Sequence, residues 1–166
     1  MSVMPEEATG KTGVPSERRQ KPERPRDRLG RPLPWDATAE LRLPDFDART
    51  LQENDEAARA YVQQGVWFGA HEAWETAWKQ ARGTGDEELF KGLSQMGAGY
   101  VHLLRGNAHG AITLLERAVR RVRTYPDGHR GLATAAIAEH LQAHADALRE
   151  GVLVPGETAP FDPPPV

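Results

Sequence analysis

Apolar residues recur through the middle of the chain at intervals of three and four positions, and no long run of strict alternation occurs. This spacing is typical of amphipathic α-helices rather than strands. It predicts five helices, over residues 51–63, 66–82, 86–105, 107–125 and 132–149. The connections between them are short, which favours antiparallel neighbours. The sequence therefore predicts an all-α fold, a single antiparallel bundle of about five helices.

The third predicted helix contains Gly92, Gly97 and Gly99. A glycine inside a helix costs up to about 1 kcal/mol relative to alanine. We expect the close approach of a neighbouring backbone to compensate, which places this helix at the centre of the bundle. Asp86 and Asn107 are suited to cap the third and fourth helices, because short polar side chains accept hydrogen bonds from free N–H groups.

Both ends of the chain differ from the middle in composition. Residues 1–34 hold six Pro, and eight Lys and Arg against five Asp and Glu. Such a segment buries too little apolar surface to fold, so a disordered, basic, Pro-rich tail is predicted. Residues 153–166 are also Pro-rich and are predicted to form an extended tail without a helix, disordered over residues 155–166. The helical bundle domain is placed at residues 35–152.

Composition excludes several classes of protein. The chain has no Cys, which rules out disulfides, thiolate metal sites and cysteine nucleophiles. No stretch approaches the roughly 18 consecutive apolar residues that cross a membrane, and no apolar signal region follows Met1, so a cytoplasmic location is expected. The net charge of −3 argues against a nucleic-acid partner.

The candidate polar site lies within an aromatic stripe of the second predicted helix. His71 and Glu75 are one helical turn apart and fall among the aromatic positions, where an unpaired charge is costly. They either pair with each other to organise the core or line a small polar pocket. The candidate polar residues are His71, Glu72, Glu75, Gln95 and His102. The predicted aromatic lining consists of Trp67, Phe68, Trp74 and Trp78.

Motifs that would identify a catalytic or metal site are incomplete. His71 and Glu72 begin a sequence that looks like half of a zinc-protease helix, but Glu75 replaces the second His. Two ligands do not define a site, so no metal and no cofactor is predicted and the catalytic residues stay unknown. His140 and His144 have a spacing that can chelate a transition metal, although a partly exposed seam is the more common setting.

Three motifs together resemble a known family. Residues 67–78 read WFGAHEAWETAW, residues 90–95 read FKGLSQ and residues 102–107 read HLLRGN. They resemble the bacterial and archaeal family called domain of unknown function 309, although Gly69 stands where a Glu is common. The resemblance implies a small all-α bundle and brings no established activity.

Two functions from different classes remain open. The preferred one is a non-catalytic interaction or small-ligand binding module with a His/Glu/Gln polar core. The alternative is a hydrolase-like enzyme, metal-assisted or not, with Glu72 or Glu75 as general base and His71 as ligand or acid. The four Trp and the His-bearing face of the fifth helix provide more apolar surface than a small core needs, so self-association is also predicted. The identity of a small-molecule or protein ligand is not predicted.

Overall fold

A computed structural model describes residues 22–166 of the chain. Its helices are α1 (Leu51–Gln64), α2 (Trp67–Gln80), α3 (Glu87–Leu104), α4 (Ala108–Val122) and α5 (Thr134–Arg149). Short 3₁₀ helices cover Phe46–Ala48 and His129–Gly131. Residues 22–166 contain only isolated β-bridges and no strand. The predicted all-α bundle of five helices is confirmed.

Most helix ends are where their local sequence signals place them. Thr50 and Glu53 form a reciprocal capping box at the start of α1, and Gly65 ends that helix in a left-handed conformation. The Asn107 side chain accepts from Gly110 N at 3.0 Å, as its predicted cap role requires. The Asp86 side chain does not cap α3. Its carboxylate instead accepts hydrogen bonds from His129 and Arg130, so this predicted cap is wrong.

Helix α3 is central, because α2 and α4 pack against it on either side. A Cβ placed on Gly97 would lie 2.9 Å from the His71 backbone of α2. Cβ atoms on Gly92 and Gly99 would lie 2.9 Å and 2.8 Å from Arg121 and Leu115 of α4. The glycines therefore permit two close helix contacts. The predicted close approach of a neighbouring backbone occurs at Gly97, whereas at Gly92 and Gly99 the nearest atoms belong to side chains of α4.

The predicted N-terminal tail is not disordered over its described part. Leu29 is buried, and the Asp27 carboxylate accepts hydrogen bonds from the backbone N–H groups of Leu29 and Arg31. Arg105, the residue that follows α3, donates to Leu29 O at 2.7 Å. These contacts fix residues 22–34 against the bundle, which the composition of the segment did not indicate. The rest of the predicted tail, residues 1–21, lies outside the described residues.

The C-terminal segment is extended, as predicted, but it is packed rather than disordered. The Phe161 ring stacks on Tyr100 at 5.0 Å between centroids. Asp162 O lies 2.7 Å from His140 Nε2. The segment thus covers part of the His-bearing face of α5 that was expected to be left open.

None of the helices in residues 22–166 combines the length and the apolar character that a membrane-spanning helix needs.

Candidate functional site

His71 is held at its inner ring nitrogen by α3. Because Gly97 lets the two backbones approach, Ser94 O comes within 3.0 Å of His71 Nδ1. A carbonyl oxygen only accepts, so this hydrogen bond forms in the His71 tautomer that carries its hydrogen on Nδ1. The Ser94 hydroxyl, which lies 3.1 Å from the same nitrogen, also donates to His71 O at 3.4 Å. Neutral His71 therefore keeps an unprotonated Nε2.

Two carboxylates face this Nε2 atom. Glu75 Oε2 lies 3.3 Å from it and Glu72 Oε1 lies 3.8 Å from it. We call His71, Glu72 and Glu75 the His71 triad, and one ligand atom from each lies within 4.8 Å of the others. The three side chains are 23%, 40% and 32% exposed respectively. The triad is therefore half open to solvent, and neither buried nor fully exposed.

The charges around the triad are unevenly compensated. Lys79 Nζ lies 3.0 Å from Glu75 Oε1, the oxygen that does not face His71. Burial raises the pKa of Glu72, the neighbouring carboxylate of Glu75 adds to this effect, and His71 opposes it. Lys79 follows Glu75 by one helical turn, a spacing that could have predicted their pairing from sequence.

Of the four residues predicted as aromatic lining, the structure places Phe68 beside the triad, and the contacts described for the three Trp are with other residues. Trp74 is fully buried and its Nε1 donates to Asp55 Oδ1 of α1 at 2.9 Å. The buried Trp67 ring instead contacts Tyr100 of α3, at 4.2 Å between centroids. Phe68 lies 6.3 Å from the His71 ring, so it does flank the triad. Trp78, also partly buried, lies under the Lys91 ammonium group at 5.2 Å.

Among residues 22–166, the two candidate residues from α3 form no hydrogen bond or ion pair with the triad. His102 shares a hydrogen bond with Asn107 at the turn that follows α3. Burial lowers the pKa of His102, with Arg105 and His71 adding to this effect. Gln95 is partly buried, and its Oε1 has no hydrogen-bond partner among residues 22–166. Ser94, which sequence reasoning missed, is the α3 residue that holds His71, and no local pattern marks it.

Glu72 also borders a groove between α2 and the N-terminal segment, which comprises residues 22–50 before α1. The groove has a volume of about 610 Å³ and is lined by Phe68 of α2 and by residues of the segment such as Trp35 and Arg26. The Arg26 guanidinium lies 5.1 Å above the Phe68 ring. Glu72 is thus shared between the triad and this groove, which the sequence analysis did not anticipate.

The two histidines of α5 have structural partners. His144 Nδ1 and the Tyr100 hydroxyl lie 2.7 Å apart. Burial lowers the pKa of His144 to about 4, with His140 adding to this and Asp162 opposing it. His140 is engaged by the backbone of the C-terminal segment. This pair is therefore part of the packing of the C-terminal segment.

The fold and the site define a small all-α protein with one imidazole and two carboxylates converging on its second helix. The sequence profile described as domain of unknown function 309 matches residues 56–114, so the resemblance carried by the motifs is confirmed. The match runs from α1 into α4 and includes the His71 triad and Ser94. No curated protein and no solved structure matches the chain.

Proposed function

We propose that the protein is a non-catalytic binding module whose His71 triad holds the positively charged part of a small ligand. The observation that carries the proposal is the orientation of His71. Its Nδ1 donates to Ser94 O, so the lone pair of Nε2 is turned toward the carboxylates of Glu75 and Glu72. Three acceptors that face one another repel unless a cation lies between them.

The cation in this arrangement is either a proton on His71 or a positive group supplied by a ligand. A histidine whose other ring nitrogen donates to a carbonyl oxygen is the usual arrangement of a metal-binding imidazole. Nitrogen and carboxylate oxygen donors suit transition metals such as Zn²⁺. A protonated amine would satisfy the same three acceptors through hydrogen bonds. Lys79 reaches only the outer oxygen of Glu75, so it leaves the centre of the triad open.

The test is titration calorimetry of untagged protein with zinc chloride and, separately, with the diamine putrescine. We expect one of the two to bind, and Glu75→Gln and His71→Ala to weaken that binding by about tenfold or more. Glu139→Gln is the matched control, because Glu139 is an exposed carboxylate of α5. Elemental analysis of the purified protein distinguishes a resident metal from an added one. The absence of binding by both probes would contradict the proposal.

A second candidate function, a metal-assisted hydrolase, is favoured by the position of Glu72. This carboxylate belongs to the triad and also lines the adjacent groove, so a general base beside a groove-bound substrate is available there. The test is turnover of 4-nitrophenyl acetate and bis-4-nitrophenyl phosphate with and without added zinc. Zinc-dependent turnover that Glu72→Gln abolishes would support a hydrolase and replace the non-catalytic proposal.

We also propose that the protein self-associates, with a second copy of the chain as its partner. Val152 and Val154 follow α5 and are 77% and 66% exposed, although both side chains are apolar. Light scattering at tens of micromolar is expected to give a mass above that of one chain. A Val152→Ser, Val154→Ser double variant is expected to lower that mass, whereas a monomeric wild-type protein would contradict the proposal of self-association.

The cytoplasmic location stays a prediction.

A further inference from the structure

Trp35 is an exception among the large aromatic side chains of the described residues. It is 65% exposed, whereas Trp67 and Trp74 are buried and Trp78 is partly buried. An indole this exposed is of interest, because such a large apolar ring is on average largely removed from water. Trp35 lies in the N-terminal segment, which is itself fixed against the bundle by the buried Leu29. Its exposure therefore occurs on an anchored part of the chain.

The exposed indole lines the groove that the segment forms with α2. Phe68 provides a second aromatic surface in this groove, whose volume of about 610 Å³ falls within the usual range for small-molecule sites. Two flat rings in one groove suit a ligand with a planar ring, since stacking on Trp and Phe is worth more than contact with aliphatic side chains.

The charged residues of the groove favour an anion. Arg24, Arg26 and Arg42 line it together with two carboxylates, Glu23 and Glu72. Within residues 22–166 none of these three arginines forms an ion pair, whereas Arg28 and Arg31 of the same segment both pair with Glu157. The Arg24 guanidinium lies 6.0 Å from the centroid of the Trp35 ring. Arg24 and Arg26 each donate one hydrogen bond to a backbone carbonyl, that of Leu33 and that of Gly30. Guanidinium groups without a carboxylate partner, beside an aromatic surface, suit phosphate, which arginine binds through two parallel hydrogen bonds.

We propose that this groove binds a nucleoside monophosphate, with the base stacked on Trp35 and the phosphate held by Arg24 and Arg42. The inference goes beyond the function proposed for the His71 triad, because the groove shares only Glu72 with the triad and the ligand has the opposite charge. The same base and phosphate chemistry occurs at the end of a nucleic-acid strand. The three arginines exceed the two carboxylates by a single charge, which favours one phosphate over a chain of them.

The experiment is a titration of the full chain with adenosine monophosphate, followed by calorimetry and by tryptophan fluorescence. Adenosine alone and inorganic phosphate alone test the two halves of the ligand, and a ten-residue oligothymidylate tests the nucleic-acid source. We expect the monophosphate to bind at least about tenfold more tightly than either half. Quenching of the fluorescence is expected in the wild type and not in Trp35→Phe, because a stacked base would contact only the exposed indole.

Variants of the groove residues, with matched controls elsewhere in the chain, test which side chains bind the monophosphate. Trp35→Ala and Arg42→Ala are each expected to weaken binding by about tenfold. Arg120→Ala removes an equally exposed arginine from α4 and is expected to leave binding unchanged. His71→Ala is also expected to leave it unchanged, which separates this proposal from the triad. The proposal would be overturned if the monophosphate failed to bind at millimolar concentration, if Trp35→Ala bound it normally, or if only the oligonucleotide bound.

Discussion

At the scale of single residues, partial exposure determines what His71 contributes to stability. Removing one partner of a fully buried ion pair costs about 3 to 5 kcal/mol of folding free energy, because the remaining charge is left unpaired. The carboxylates of Glu72 and Glu75 are 40% and 32% exposed, so water can replace the imidazole. We therefore expect His71→Ala to lower the free energy of unfolding by only about 1 kcal/mol, as for exposed pairs. Urea denaturation measures this difference, and a loss of 3 kcal/mol or more would show that the triad is part of the core.

Trp74 shows the opposite situation, since its polar contact is fully buried. Its Nε1 donates to Asp55, which is 1% exposed and otherwise held by Arg59. Trp74→Phe keeps an aromatic ring and removes this donor, so we expect a loss of about 1 to 3 kcal/mol in the free energy of unfolding. Trp78→Phe is the matched control on the same helix, because Trp78 is only partly buried. Equal losses in the two variants would mean that the hydrogen bond to Asp55 contributes nothing.

At the scale of the helices, Gly97 and Gly99 of α3 can be compared directly, because replacing either glycine by alanine brings the same gain in helix propensity. Alanine gains up to about 1 kcal/mol at either position. At Gly97 the new Cβ would lie 2.9 Å from His71 N and Cα, which are backbone atoms that cannot yield without moving α2. At Gly99 it would lie 2.8 Å from Leu115 Cδ2, the end of a flexible side chain.

We therefore expect Gly97→Ala to destabilise the protein by about 1 to 3 kcal/mol and Gly99→Ala to have a smaller effect. Thermal or urea unfolding of the two variants measures the difference. Gly97→Ala is also expected to reduce cation binding, because His71 would move away from Ser94. A reversed order of the two stabilities would show that the α2–α3 contact is more adaptable than the α3–α4 contact.

At the scale of the whole molecule, Glu157 joins the two terminal segments. Its carboxylate lies 3.0 Å from Arg28 and 2.6 Å from Arg31, and hydrogen bonds from Arg31 and Arg28 lower the pKa of Glu157 below its ordinary value of 4.5. A carboxylate with a lowered pKa stabilises the folded contact above its unfolded pKa, and this contribution is lost as the pH falls through the folded pKa. The contact between the segments is therefore expected to weaken below about pH 4.5.

Hydrogen exchange, corrected for intrinsic rates, measures this loss in residues 22–34 and 155–166. Glu157→Gln is expected to lower protection of both segments already at neutral pH, while α3 keeps its protection. Glu150→Gln removes a nearby exposed carboxylate that forms no ion pair among the described residues and serves as the control. Unchanged exchange in Glu157→Gln would show that the other contacts of the two segments, among them those of Leu29 and Phe161, hold them in place without Glu157.

The sequence by itself determined the features that depend on neighbouring positions. Helical periodicity and the Asn107 cap arise within a few residues, so local physics predicts them. The left-handed Gly65 and the Thr50 capping box are equally local, although the capping box was not predicted, and the predicted Asp86 cap did not form. The glycines of α3 even predicted close helix contacts, because nothing else offsets their cost. The position of the triad on one helix also followed, since His71, Glu72 and Glu75 lie within five residues.

Only the tertiary structure decided which neighbour each side of α2 would meet. Trp67 and Trp74 lie within about 60° of His71 around the helix, and packing against α1 and α3 draws both rings away from it. Ser94 is 23 residues from His71, and Glu157 is 129 residues from Arg28. The composition of residues 22–34 predicted disorder, and this prediction is wrong for these residues. Leu29 is buried and its carbonyl accepts a hydrogen bond because its partners come from distant parts of the chain, which composition does not reveal. A local sequence pattern contains no information about such distant partners. Only the fold could therefore show which residues hold His71 and which residues anchor the terminal segments.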